Sequence, residues 1–159
     1  MINVHTEFGI SVPYLNGDHI QSWGNSALSG KLDDAELCIR VVDEAEMTEL
    51  NGNFRQKFQP TNVLSFPADI SDEIDIKLLG DIAICAPVVE REAEEQSKDL
   101  TAHWAHMVVH GCLHLIGMDH VEDADADEME AMEIEILGGL GFSNPYANNV
   151  QIEPITTAG

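Results

Sequence analysis

Positive charge is what this sequence lacks most. Seven Lys and Arg stand against 29 Asp and Glu, a formal net charge of −22 over 159 residues. Recognition of a nucleic-acid backbone normally draws on clustered cations, so composition alone argues against it and only a specific feature outweighs that. Cysteine is also sparse. Cys38, Cys85 and Cys112 lie far apart among apolar neighbours, an odd number that builds no disulfide framework and suits a reducing cytoplasm. No apolar run reaches the length of a membrane span, and residues 1–9 have neither the basic stretch nor the apolar core of a secretion signal. A cytoplasmic protein without membrane contact is therefore expected. Repeats, low-complexity tracts and linkers are missing as well. What is present is ordinary for a globular chain: 44% hydrophobic and 23% charged residues, with enough length for one core. The acid gathers in two runs, 90–95 and 122–135. These are expected to be solvated helix faces, with docking of a basic protein as the alternative.

Periodicity predicts a first strand over 2–12, ended by Pro13, and a helix over 15–28 that stops near Gly30. The run AELCIRVV at 35–42 reads as a strand. Asp43 then caps a short helix through Leu50, with Glu46 as its capping-box partner. Residues 51–60, which contain Phe54, Arg55 and Lys57, are turn-rich and polar. NVLSF at 62–66 and GDIAIC at 80–85 read as two further strands separated by an acidic loop. Pro87 opens a helix that runs to 98, 102–116 is a strongly apolar helix, and 123–140 is amphipathic. Met129, Met132, Ile136, Leu137 and Leu140 fall on one stripe of that last helix and are expected to be core. The fold expected is α+β. It has one domain, 1–146, in which helices cover a small mixed sheet and a metal site lies at the end of a central helix; a polar tail, 147–159, follows.

Five of the seven histidines fall between positions 103 and 120. Residues four apart on a helix differ by only ~40° in direction, so His110 and His114 project side by side. Two imidazoles so placed can reach one ion at the roughly 2.0–2.1 Å that zinc requires. Gly117 supplies a left-handed helix stop that folds the chain back and brings His120 in as third ligand. Three protein ligands leave a coordination position open, the mark of a catalytic site, so one Zn2+ per chain is expected. His106 shares the spacing to His110 but lies roughly 12 Å along the axis from His114 at ~1.5 Å per residue, and is expected to be a packed or surface residue. His103, at the helix start, is expected to be exposed, and Cys112, between the two ligands, to face the core.

The frame H-x3-H-x5-H matches that of the metzincin proteases, but Gly111 stands where those enzymes carry the glutamate that deprotonates the metal-bound water. Phosphodiester cleavage leans more on charge stabilisation at the phosphoryl group. The metal site is therefore retained and a protease is disfavoured.

HGCLHLIGMDH, with NFRQKFQPTNVLSFP at 53–67, LGDIAIC at 79–85 and HWAHMVV at 103–109, resembles the YbeY family of bacterial rRNA-maturation endoribonucleases. The resemblance extends over about residues 35–146. It implies an α+β metal-dependent hydrolase with three histidine ligands, a single-strand-specific endoribonuclease acting in 16S rRNA 3′-end maturation and ribosome quality control. It implies partners too: the 16S precursor, the small ribosomal subunit, a basic ribosomal protein and an Era-type GTPase. It also implies a functional arginine before the PT-x-VLSF motif, here Arg55. With Lys57, Arg55 forms the one close basic pair in the chain, and a guanidinium beside the metal can clamp a phosphate oxygen through two donors. Many members carry aspartate where this chain has Asn62, a difference expected to touch a strand-edge contact. Asp81 is a candidate for lining the cleft or orienting a ligand imidazole. Asp119 is a candidate for holding a ligand's second N–H. Two other readings remain: a metal-dependent hydrolase on a peptide substrate, and a non-enzymatic ribosome-assembly factor with structural zinc.

Overall fold

The computed structural model describes residues 2–68, 78–117 and 123–146, with side chains from 127 onward in the last of these segments. Alternating burial builds the sheet. Strand β1 (Ile2–Phe8) pairs in parallel with β2 (Ala35–Val42), β2 with β4 (Leu78–Cys85) in parallel, and β3 (Val63–Pro67) lies antiparallel on β4, giving the order β1-β2-β4-β3. The expected mixed sheet is found. β1 is shorter than the 2–12 expected.

Because strand side chains alternate in direction, the sheet has two unlike faces. Leu37, Ile39, Val41, Ile82 and Ile84 form one, and join a large core with helices α1 (Gly17–Leu28) and α4 (Leu100–Leu115). Val42, Leu64, Ala83 and Cys85 belong to a smaller cluster with Met47 of helix α2 (Glu44–Arg55) and Val88 of helix α3 (Ala86–Glu95). Helix α5 (Asp123–Gly139) packs on α4, with Met129 and Leu137 buried and Met132, Ile136 and Leu140 partly so. The expected apolar stripe is therefore core. No helix among the described residues is long and apolar enough to cross a membrane.

Two local expectations change. Asp43 does cap α2, its carboxylate accepting from the Glu46 N–H at 2.8 Å. The Glu46 side chain does not return the bond; it pairs with Arg40 at 2.6 Å. And α2 continues past Leu50 to Arg55, so residues 51–55 are helix rather than loop. Asn51 is buried inside it, donating through Nδ2 to the Gln59 carbonyl at 2.9 Å. The stop comes at Gln56, which adopts φ 60. Arg55 is thereby set on the last turn of a helix, where the carbonyl end of the dipole favours a cation.

Candidate metal centre

Helix α4 carries the histidines, and the sequence fixes both of its ends. Asp99 caps it, accepting from the Ala102 N–H at 3.0 Å. Gly117 ends it at φ 98, its N–H donating to the His114 carbonyl at 3.0 Å. That is the helix stop expected from the sequence. Between these ends the helix is buried on nearly every side, and His110 and His114 are only partly covered. Their rings lie 4.6 Å apart, centre to centre. Both line a cleft of about 340 Å³ together with Phe54 and Arg55 from the end of α2, and Asn62 and Ser65 from the β3 edge.

The floor of this cleft explains Gly111. Ser65 donates through Oγ to the Gly111 carbonyl at 3.0 Å, tying β3 to α4. A Cβ on Gly111 would come within 3.0 Å of Ile82 Cγ2 and 3.4 Å of Val63 Cγ2. Position 111 is buried against the sheet, so a side chain there would force Ile82 of β4 to give way. Cys112 is fully buried, as expected, and burial pushes its thiol up to about 12.

Behind His110 lies a residue that the sequence reading missed. Glu133 of α5 is fully buried and accepts from His110 Nδ1 at 2.6 Å and from His106 Nε2 at 2.9 Å. The Tyr146 hydroxyl donates to the same carboxylate. Burial alone would push the Glu133 carboxyl up; the hydrogen bonds from His106, His110 and Tyr146 outweigh it and hold the group well below the usual carboxylate range. Burial also lowers His106, against its bond to Glu133. An ionised Glu133 requires an N–H on His110 Nδ1, which leaves the ring's lone pair on Nε2. Fixing a metal-binding imidazole in one tautomer through a buried carboxylate is the usual support for a zinc histidine. The signal was present in the sequence: Glu133 stands four residues from both Met129 and Leu137, inside the apolar stripe. It also corrects the expectation for the second acidic run, which is not wholly a solvated face.

His106, His110 and Glu133 together can hold a metal ion, since one ligand atom from each lies within 4.8 Å of the others. Their spacing is that of hydrogen bonds, however. The 2.6 Å between His110 Nδ1 and Glu133 is shorter than the about 3.3 Å that two ligands of one tetrahedral zinc keep at bonds of ~2.0–2.1 Å. The cleft offers a second donor set, the imidazoles of His110 and His114 that line it. Glu133→Gln separates support from ligation. An amide cannot accept from both histidines, so we expect metal affinity to fall about ten- to a hundredfold, as for other losses of such partners. Chelator competition on the purified variant measures it; unchanged affinity would remove Glu133 from the metal centre.

Other candidates are distributed less simply. His120 and Asp119 lie outside the described residues. For His110 the role suggested for Asp119 is filled by Glu133. Asp81 is not in the cleft: it stands opposite Phe66 on β3 and lines a groove with Cys38, Arg40 and Glu46 on the α2 side of the sheet, because its neighbour Ile82 faces α4. His103 is buried rather than exposed, bonded through Nε2 to Glu92 at 2.9 Å. Asn62 donates to Glu92 as well, at 3.3 Å, so the position that departs from the family pattern joins the cleft edge to α3.

Comparison with known proteins follows the same lines. The family model described as Endoribonuclease YbeY matches residues 13–141, from before α1 through the end of α5. Proteins named Endoribonuclease YbeY from Stutzerimonas stutzeri (strain A1501) and Pseudomonas putida (strain W619) are 60% and 59% identical over 131 residues, covering 82% of this chain and 82% and 83% of theirs. The solution structure of TM1509 from Thermotoga maritima superposes with a TM-score of 0.58 at 26% identity, over 91% of this chain and 98% of that one.

Proposed function

The chain belongs to the YbeY family of endoribonucleases, and from that premise we propose that it is a zinc-dependent enzyme that cuts unpaired RNA in maturing the 3′ end of 16S rRNA and in ribosome quality control. One observation carries the reading: α2 and α4 bring Arg55, His110 and His114 to a single cleft. In a chain with seven cations, an exposed arginine beside two imidazoles of ligand spacing is well suited to a phosphodiester.

His110 and His114, with His120 from the segment after Gly117, are the residues that would hold one Zn2+ per chain. When bound, such an ion supplies a Lewis acid and a water acidic enough to be deprotonated near neutral pH. The protein's own part is positional. Glu133 holds the His110 ring, and Gly117 ends the helix that carries His110 and His114. Arg55 offers two parallel N–H donors to the non-bridging phosphate oxygens, where charge develops as the bond breaks. Asp119 remains the candidate for the N–H of a ligand other than His110. The exposed acids of α3 and α5, among them Glu90, Glu94, Glu128 and Glu135, suit a basic ribosomal protein and would discourage naked RNA from binding elsewhere. The small subunit and an Era-type GTPase are the assemblies in which we place it. Incubation with precursor 16S rRNA, with and without chelator, followed by mapping of the ends, tests the proposal; end formation that ignores the chelator would refute it.

The peptidase alternative lacks its general base, since Gly111 stands where that carboxylate would be. A side chain at position 111 would start 3.0 Å from Ile82 and 3.4 Å from Val63, a contact tighter than ordinary packing. Gly111→Glu is accordingly expected to create no peptidase. It should cost on the order of 3 kcal/mol or more in stability, by forcing a charged side chain into the packed sheet–helix contact. Thermal unfolding and a casein digest of the same sample read both. The assembly-factor alternative, with zinc purely structural, fits less well a pair of ligand-type imidazoles on the wall of an open cleft.

A further inference from the structure

Residues 54–58 of this chain, Phe-Arg-Gln-Lys-Phe, set two of its seven cations between two aromatic rings. The rings are the two most exposed large hydrophobic side chains among the described residues, Phe54 at 52% and Phe58 at 75%. Neither is loose. Phe54 lines the histidine cleft beside Arg55 and is braced edge-on by Phe66, 4.5 Å away between ring centres. Phe58 lies on the backbone of α2 at Gly52, where an added Cβ would come 2.2 Å from both its Cδ1 and its Cε1. One side of that ring rests on bare peptide, and its high exposure leaves the other side to solvent. The connection is held as well: Gln56 and Lys57 donate their N–H groups to the Gly52 and Asn51 carbonyls at 2.9 and 3.3 Å.

We propose that this segment is a stacking platform for unpaired bases of the RNA strand that enters the cleft, with Phe54 taking the base beside the scissile phosphate and Phe58 one farther along. The inference rests on the nuclease reading and deepens it by naming what selects a single strand. Bases in a duplex are stacked on each other and cannot offer a face to a ring, whereas unpaired bases can. Stacking needs no net positive charge, which matters for a protein at −22. Arg55 and Lys57, between the two rings, offer cations to the phosphates that link the stacked bases.

Single-turnover cleavage of a short unpaired oligoribonucleotide, followed against protein concentration, tests the platform. Phe54→Leu should raise the half-saturating concentration roughly tenfold, the order expected for one base–aromatic stack, while leaving the maximal rate near wild type. Phe54→Tyr should restore it. Gly52→Ala should raise it too, by displacing Phe58, although alanine favours the helix and thermal stability should not fall. On a strand made abasic next to the cleavage site, wild type and Phe54→Leu should behave alike. Wild-type saturation by Phe54→Leu, or an equal defect on the abasic strand, would overturn the platform and leave the nuclease reading standing. If wild type cleaves no RNA at all, both fall. If Phe54→Leu cleaves the oligonucleotide normally yet no longer cosediments with small ribosomal subunits, the rings serve a protein contact and the platform is wrong.

Discussion

His114→Ala should strip the protein of its metal, whereas His106→Ala should keep it. Purified wild type is expected to carry about one zinc-like ion per chain. Structural zinc sites are worth about 10–16 kcal/mol in apparent binding, so removing one of three imidazoles should cost several kcal/mol, a loss of affinity on the order of 10³ at 1.4 kcal/mol per decade. His106→Ala instead removes a hydrogen bond to Glu133. It should lower stability by about 1–3 kcal/mol, since a buried acceptor loses a partner, with the ion still bound. The pair discriminates between the two places where an ion can sit. An ion in the cleft depends on His114 and not on His106. An ion held by His106, His110 and Glu133 depends on His106 and ignores His114. Elemental analysis of both variants after gel filtration decides it, and the reverse pattern would move the metal to the buried group.

Arg55→Ala should leave metal content intact and slow the chemical step about 10²–10³-fold, the usual loss when a donor aimed at developing charge is removed. Stability should change little. Arg55 is exposed on the last turn of α2, where its interaction with the helix dipole is worth about 0.3–1 kcal/mol at most. Arg55→Lys should recover only part of the rate, because a point charge does not reproduce the planar two-donor fork. Single-turnover cleavage of a defined RNA, with metal occupancy measured on the same samples, checks this. A wild-type rate in Arg55→Ala with metal in place would withdraw the role for Arg55 and leave the histidines untouched.

The elements that were legible in the sequence are those set by local rules. The spacing of His110 and His114 and the stop at Gly117 are consequences of helix geometry within a few residues, and both appear as expected. The α+β class followed from short β-rich runs alternating with periodic segments. Long-range contacts decided the rest. Asn51-Gly52-Asn53 reads as a turn, yet α2 runs through it because Asn51 finds a buried partner in the Gln59 carbonyl. Asp81 follows Gly80 at a strand start, but strand alternation turns it away from the face of Ile82 and Ile84. Glu133 lies 23 residues from His110, and nothing local shows which imidazole a buried acid will meet. His103 stands at a helix start, where exposure is the local expectation, and Glu92 on α3 covers it.

The bond between Glu133 and His110 has a consequence for how the enzyme comes into being. Chains emerge from the ribosome amino end first and fold as they lengthen, so His110 and His114 appear before the carboxylate that orients them, and Tyr146, which completes that carboxylate's shell, appears later still. Until α5 has docked, His110 has no buried anion to fix its proton on Nδ1. The His110 ring is thus oriented only once α5 has docked, and its support is a property of nearly the whole described chain rather than of the helix that carries the histidines.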